Sequence, residues 1–126
     1  MADVLAERRE ERERLLALAR TYVERLQARV PVAAAVVAGS VARGDFNVWS
    51  DVDVVVVAEP LPERLVDRAG LLLGEAPVRV QAIGFTPGEL HEAWLRGNRL
   101  VREAVEDGIV LAGGESFATL ARSGRS

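Results

Sequence analysis

Apolar residues recur along this chain in two rhythms. Between about Asp3 and Arg29, Leu15, Leu18, Tyr22 and Leu26 return at helical spacing, and Leu16, Ala19 and Val23 widen the stripe. That pattern predicts one long amphipathic helix within residues 1–29. Its first part, Glu7 to Arg14, has no apolar face. It reads either as a solvated extension carrying i,i+4 pairs such as Glu10–Arg14 or as an arm that docks on a partner. Pro31 stops the helix. Val32 to Ala38 is apolar at every position, the pattern of a strand buried on both faces.

Gly39 and Ser40 break that strand, and Ser40 to Gly44 can form the first turn of a short helix. A loop over Asp45 to Ser50 leads into a second buried strand, Asp51 to Ala58, which contains four consecutive valines. Pro60 and Pro62 end it; Glu63 to Leu73 reads as a helix closed by Gly74. Val78 to Phe85 is a third strand. Thr86-Pro87-Gly88-Glu89 has the order of an N-cap, a first-turn proline and an acid, and opens a helix running to about Arg96. Asn98 to Glu106 reads as another helix stopped by Gly108, Ile109 to Ala112 as a last strand, and Glu115 to Arg122 as a final helical turn or two. Residues 123–126 form a frayed tail.

Helices alternating with short strands predict an α/β (α+β) fold with a short mixed sheet covered by helices on one face. At 126 residues the chain suits a single domain, 1–126, with its motif-bearing core over 32–113. No repeat or linker divides it.

Two carboxylates, Asp51 and Asp53, open the second strand. Residues two apart on a strand project from one face, with Cα atoms roughly 6.5–7 Å apart. Such a pair can hold a hard divalent cation together with substrate phosphate oxygens. The rest of the strand is nearly all valine, so unpaired carboxylates there would be costly to desolvate without cations, arginines or water. Upstream, Gly39 permits close backbone approach and an unusual φ, and Ser40 adds a hydroxyl at a helix start, where free N–H groups attract phosphate. A D-x-D alone, or a Gly-Ser alone, is a common loop feature. Together, at this spacing between two apolar strands, they are more specific.

Gly39-Ser40-Val41-Ala42-Arg43-Gly44, followed by Ser50-Asp51-Val52-Asp53 with Ser50 ten residues beyond Ser40, resembles the signature of the minimal nucleotidyltransferases of the DNA polymerase β-like superfamily. The resemblance covers roughly Val32 to Gly113. It implies a polymerase β-like palm that binds ATP or another nucleoside triphosphate with Mg²⁺ (or Mn²⁺). Gly39 and Ser40 would hold the β/γ-phosphates, and Asp51 and Asp53 would ligate metal. Arg43 would contact phosphate or pair with an acid to fix the loop. Ser50 would cap the turn into the strand or touch substrate. The resemblance also implies a partner, because minimal domains of this kind act as antitoxins beside a HEPN-domain protein, and some modify a tyrosine of it.

Active members of that family carry a third carboxylate on the neighbouring strand. Here that strand offers Arg79 and Gln81 on one face, and neither is acidic. One alignment places Arg79 at the missing acid's position; a slip of two residues places Gln81 there. An Arg79 beside the aspartates would compete with metal, and its replacement by an acid should then strengthen Mn²⁺ binding. Glu75 and Glu89 flank this strand and would need an unexpected loop path to substitute. Two functional classes therefore stand: a nucleotidyltransferase that modifies a protein hydroxyl, and a catalytically weakened module that acts by binding a partner or nucleotide.

The remaining candidates are less specific. His91 reads as a surface residue, Trp94 as core or interface, Trp49 as a packing residue or a base-stacking platform, and Tyr22 as core. The absence of cysteine excludes disulfides and thiolate metal sites. The charged N-terminus is unlike a signal peptide, and no apolar run approaches the roughly 20 residues of a membrane span. The expectation is a cytoplasmic protein. A net charge of −3 gives no electrostatic ground for strong non-specific nucleic-acid binding. All sixteen basic residues are arginine.

Overall fold

Among the residues that the computed structural model describes, 3–47, 50–74, 76–113 and 116–124, helices and strands alternate in the order the hydrophobic pattern predicts. They are α1 (Val4–Gln27), β1 (Val32–Ala38), α2 (Gly39–Arg43), β2 (Val52–Ala58), α3 (Leu65–Leu73), β3 (Val80–Phe85), α4 (Pro87–Leu95), α5 (Arg99–Asp107), β4 (Ile109–Ala112) and α6 (Ser116–Ser123). Trp49, Glu75, Glu115 and the last two residues of the expected frayed tail lie outside the described residues.

Local chemistry accounts for several boundaries. The Asp3 side chain accepts from the amides of Leu5 and Ala6 and caps α1. Thr86 and Glu89 form a reciprocal capping box at the start of α4. Asn98 caps α5 by accepting from the Val101 amide at 3.1 Å. Gly74 does close α3, but in a right-handed conformation rather than as a left-handed cap.

The strands form one mixed sheet in the order β3-β2-β1-β4. β1 pairs antiparallel with β2 and β4, and β2 pairs parallel with β3. A parallel neighbour requires a crossover, which α3 supplies between β2 and β3.

Helices cover both faces of this sheet rather than the one face expected. On one side Leu15, Ala19, Val23 and Leu26 of α1 and Leu72 of α3 belong to a core that takes in Val37, Val52, Val54 and Val56. On the other, Leu90, Val101, Ala104, Phe117 and Leu120 from α4, α5 and α6 share a core with Ala34, Val36, Val55 and Val57. The reason lies in β1 and β2 themselves. Alternation sends successive apolar side chains to opposite faces, so a run of alanines and valines needs cover on each.

Among the described residues, one charged side chain is buried in this frame. Arg68 of α3 donates to the carbonyl of Pro62 at 2.8 Å and to Glu89 of α4 at 2.8 Å, tying α3 to α4 across the end of β3. Burial pushes the Glu89 carboxyl up, but hydrogen bonds from the Thr86 amide and Arg68 outweigh it and hold it below the usual range. No helix among the described residues is long and apolar enough to cross a membrane.

Candidate functional site

The site begins where β1 ends. Ala38, its last residue, pairs with Asp53 of β2, so the residue that follows must turn directly beside the Asp53 side chain. That residue is Gly39, at φ +72°, a left-handed conformation that favours glycine. A Cβ placed on it would stand 2.5 Å from Oδ2 of Asp53. Gly39 is thus suited twice over, by its backbone angle and by the closeness of the carboxylate.

α2 is a single turn, stopped by Gly44 at φ +89°. The Ser40 carbonyl accepts from the Gly44 amide at 2.9 Å and the Asp45 amide at 3.1 Å. The Ser40 hydroxyl makes no hydrogen bond among the described residues. Ser50 closes the following loop reciprocally: its hydroxyl accepts from the Asn47 amide at 2.9 Å, and its own amide donates to the Asn47 carbonyl at 3.0 Å. Of the two readings of Ser50, this geometry is that of the turn cap.

Asp51 is exposed at the mouth of β2, and Asp53 is half-buried. Neither carboxylate has a hydrogen bond or ion pair among the described residues. Burial is the main cause that pushes the Asp53 carboxyl above its ordinary range; the negative charge of Asp51 adds to it, and Arg43 partly opposes it. Two like charges, one of them partly desolvated and neither locally neutralised, form a donor set suited to a hard cation. No group of three or more His, Cys, Asp or Glu among the described residues is placed to hold a metal. A cation here would therefore complete its shell with phosphate or water oxygens, as Mg²⁺ commonly does.

Arg43 turns toward acids. Its Nε donates to Asp45 at 3.2 Å and its Nη1 to Glu103 of α5 at 3.0 Å. Glu103 also accepts from Arg99 at 3.0 Å. The loop-fixing alternative for Arg43 is the one this structure contains.

Arg79 and Gln81 stand differently toward the two aspartates. Asp53 pairs with Gln81, and the Arg79 guanidinium is elsewhere. Its Nη1 donates to Glu11 of α1 at 2.8 Å and its Nη2 to the Ser50 carbonyl at 2.6 Å. The expectation of an arginine competing with metal for the aspartates is therefore corrected: Glu11 and the Ser50 carbonyl draw the Arg79 guanidinium across the strand end, away from both carboxylates. Glu89 is engaged at the start of α4 by Thr86 and Arg68.

The charged first half of α1 takes part in this site, which the solvated-extension reading missed. Arg8 donates to the carbonyls of Gly44 at 3.2 Å and Phe46 at 2.7 Å, with its guanidinium 4.9 Å from the Phe46 ring centre. Arg12 donates to the carbonyls of Val41 at 2.9 Å and Ala42 at 2.7 Å, receiving the free end of α2. Arg14 pairs with Glu11, not with Glu10. A signal was available: Arg8 and Arg12 continue, at helical spacing, the face of Leu15, Leu16 and Ala19.

His91 is half-buried rather than a surface residue; its Nδ1 lies 2.9 Å from the Ala121 carbonyl, against α6. Trp94 packs partly into the second core, with Arg102 4.6 Å from its ring centre. Tyr22 is a core residue as expected, and its hydroxyl donates to the Leu72 carbonyl at 2.5 Å.

Residues 19–111 match the family described as the nucleotidyltransferase domain. Among solved structures, the chain is similar to a provisionally assigned nucleotidyltransferase from Sulfolobus solfataricus, with a TM-score of 0.63 and 26% identity over 82% of this chain and 84% of that one. It is also similar in fold to a chain of a toxin–antitoxin structure with AMP-PNP, with a TM-score of 0.58 and 17% identity over 83% of this chain and 82% of that one. No curated protein matches.

Proposed function

The chain belongs to the nucleotidyltransferase-domain family, and on that premise we propose that it transfers a nucleotidyl group, AMP from ATP, to a protein hydroxyl. In this reading it acts in the cytoplasm as the antitoxin partner of a HEPN-type protein, with residues 1–126 forming one functional unit. The observation that carries the transfer is the Gly39–Asp53 juxtaposition, a turn without a side chain packed against a half-buried carboxylate. The toxin–antitoxin neighbour with AMP-PNP supports the choice of adenine nucleotide and of a protein partner.

Asp51 and Asp53 would hold Mg²⁺, which would offset the charge that develops on departing pyrophosphate. Ser40 would donate its hydroxyl to the β/γ-phosphates, and the missing Cβ of Gly39 leaves room for the Asp53 carboxylate against the turn. Arg43 would keep the turn in place through Asp45 and Glu103. The partner's hydroxyl oxygen would attack the α-phosphorus as the bond to pyrophosphate breaks, and the hydroxyl proton would pass to solvent water. Positioning and charge stabilisation carry most of such a transfer.

A second reading is favoured by one observation: the residue paired with Asp53 on β3 is Gln81, an amide. A site with two carboxylates would bind nucleotide or partner without efficient transfer.

Calorimetric titration of ATP, with and without Mg²⁺, into the wild-type chain and an Asp51→Asn/Asp53→Asn double variant tests the shared part. Metal-dependent binding lost in the variant is the expected result. Transfer of label from α-labelled ATP to a HEPN-type partner then separates the two readings. A folded protein that does not bind millimolar ATP would argue against both nucleotide roles.

A further inference from the structure

Arg79 holds the backbone on both sides of Asp51 without touching its carboxylate. Its Nη2 donates to the carbonyl of Ser50, immediately before Asp51, at 2.6 Å. Its own carbonyl accepts from the amide of Val52, immediately after Asp51, at 2.8 Å. The other end of the guanidinium is fixed by Glu11 at 2.8 Å. We infer that Arg79, oriented by Glu11, is a positioning residue that sets where Asp51 presents its carboxylate; this rests on the metal–nucleotide reading of the site above.

Three observations converge on it. Asp51 is exposed, lies just outside β2, and has no side-chain partner among the described residues. Its position therefore depends on its neighbours' backbone. Second, a guanidinium presents its N–H groups in a rigid fork, so one arginine can grip a carbonyl and a carboxylate in a defined relation. The bond to Glu11 is charge-assisted, and so is the short one to the Ser50 carbonyl. Third, stability is a poor explanation for the pair. The Arg79 side chain is 31% exposed and that of Glu11 26%. Ion pairs so open to solvent contribute little to folding. What the pair does supply is geometry at a residue expected to ligate metal.

Glu11 lies outside residues 19–111, the part that matches the family. The same is true of Arg8 and Arg12, which hold the carbonyls of α2 and its following loop. The first half of α1 thus brackets the motif loop at both ends: Arg8 and Arg12 at its start, Glu11 through Arg79 at its finish. In this chain the helix is part of the site's support.

The test compares binding of ATP with and without Mg²⁺ to wild type, Arg79→Met, Arg79→Lys and Glu11→Gln, with Asp51→Asn as the reference for the site. Arg79→Met should weaken MgATP binding roughly 10- to 100-fold, the range usual when a residue supporting a metal ligand is removed. Binding of metal-free ATP should not change, because that does not depend on Asp51 being well placed. Arg79→Lys should recover part of the loss, since an ammonium can still reach the Ser50 carbonyl. Glu11→Gln should show a smaller loss of the same kind. If Arg79→Met fails to fold, the Lys and Gln variants carry the comparison. MgATP affinity unchanged in the Arg79 and Glu11 variants, but lost in Asp51→Asn, would overturn the inference while leaving the site reading intact. Equal loss with and without Mg²⁺ would mark a general structural role and also overturn it. If Asp51→Asn itself binds MgATP like wild type, the site reading fails, and this inference with it.

Discussion

Gly39 and Asp53 are in contact across the β1–β2 pair: Oδ2 of Asp53 stands 2.5 Å from where a Cβ on Gly39 would lie. Gly39→Ala therefore meets two penalties at once. A left-handed backbone with a side chain costs about 1–2 kcal/mol. The methyl group must also displace the carboxylate. The variant should melt lower and lose metal-dependent ATP binding together. A Gly39→Ala chain with wild-type affinity would show that this turn does not serve the nucleotide.

The Asp53 carboxyl is pushed above its ordinary range by burial and then by Asp51. A folded-state value raised above the unfolded one means that the ionised group opposes folding. The native state is favoured below the unfolded value, and that advantage is lost as pH rises through the folded one. At neutral pH, Asp53→Asn should therefore raise the melting temperature of the ligand-free chain while abolishing Mn²⁺-dependent binding. The stabilisation should fade as pH is lowered into the carboxylate range. A drop in melting temperature at pH 7 would contradict the electrostatic account.

Gln81 is the residue paired with Asp53 on β3. Replacing it with an acid adds a third carboxylate beside the first two. Gln81→Glu should tighten Mn²⁺ binding by about ten-fold, since carboxylate count is a main determinant of affinity for hard cations. Arg79→Glu, by contrast, should weaken it. Equal tightening in both variants would mean that Arg79 faces the aspartates after all.

Tyr22 is buried, and desolvation pushes its hydroxyl up to about 12. The chain has one tyrosine and no cysteine, and all of its basic residues other than His91 are arginine. Absorbance near 295 nm in alkali thus reports Tyr22 alone. The sign is that of an acid whose neutral form is kept by folding: its contribution is complete below pH 10, the unfolded value, and is lost as pH rises toward 12. Stability should fall by about 2–3 kcal/mol across that window at most, at 1.36 kcal/mol per pH unit. Tyr22→Phe should remove this alkaline slope. The variant should also cost about 1–3 kcal/mol at pH 7, because it removes the donor to the buried Leu72 carbonyl. An unchanged alkaline slope in Tyr22→Phe would mean another group titrates.

The order of helices and strands was legible because the signals that set it are local. The stripe from Leu15 to Leu26, the valines of 54–57, the Thr86–Glu89 box and the stops at Pro31 and Gly108 each act within a few residues. The spacing from Gly39-Ser40 to Asp51-Val52-Asp53 is likewise a property of one short stretch, and by itself it points to the family. The arginines Arg8, Arg12 and Arg79 were harder to read, because a long side chain selects its partner among groups 29 to 68 residues away, such as Val41, Phe46 and Glu11.

By itself, then, the sequence determined the element order, the buried character of β1 and β2, and the pairing of a glycine turn with two carboxylates. The tertiary structure alone decided the rest. It placed helices on both faces of the sheet, set Gln81 rather than Arg79 against Asp53, and turned the charged half of α1 into a support for the motif loop. The physical reason is that periodicity, capping and turn chemistry are encoded within a few residues, whereas strand register and side-chain pairing arise from competition among distant segments. A shift of two residues keeps the same face and the same local pattern, so only the packed fold distinguishes the alternatives.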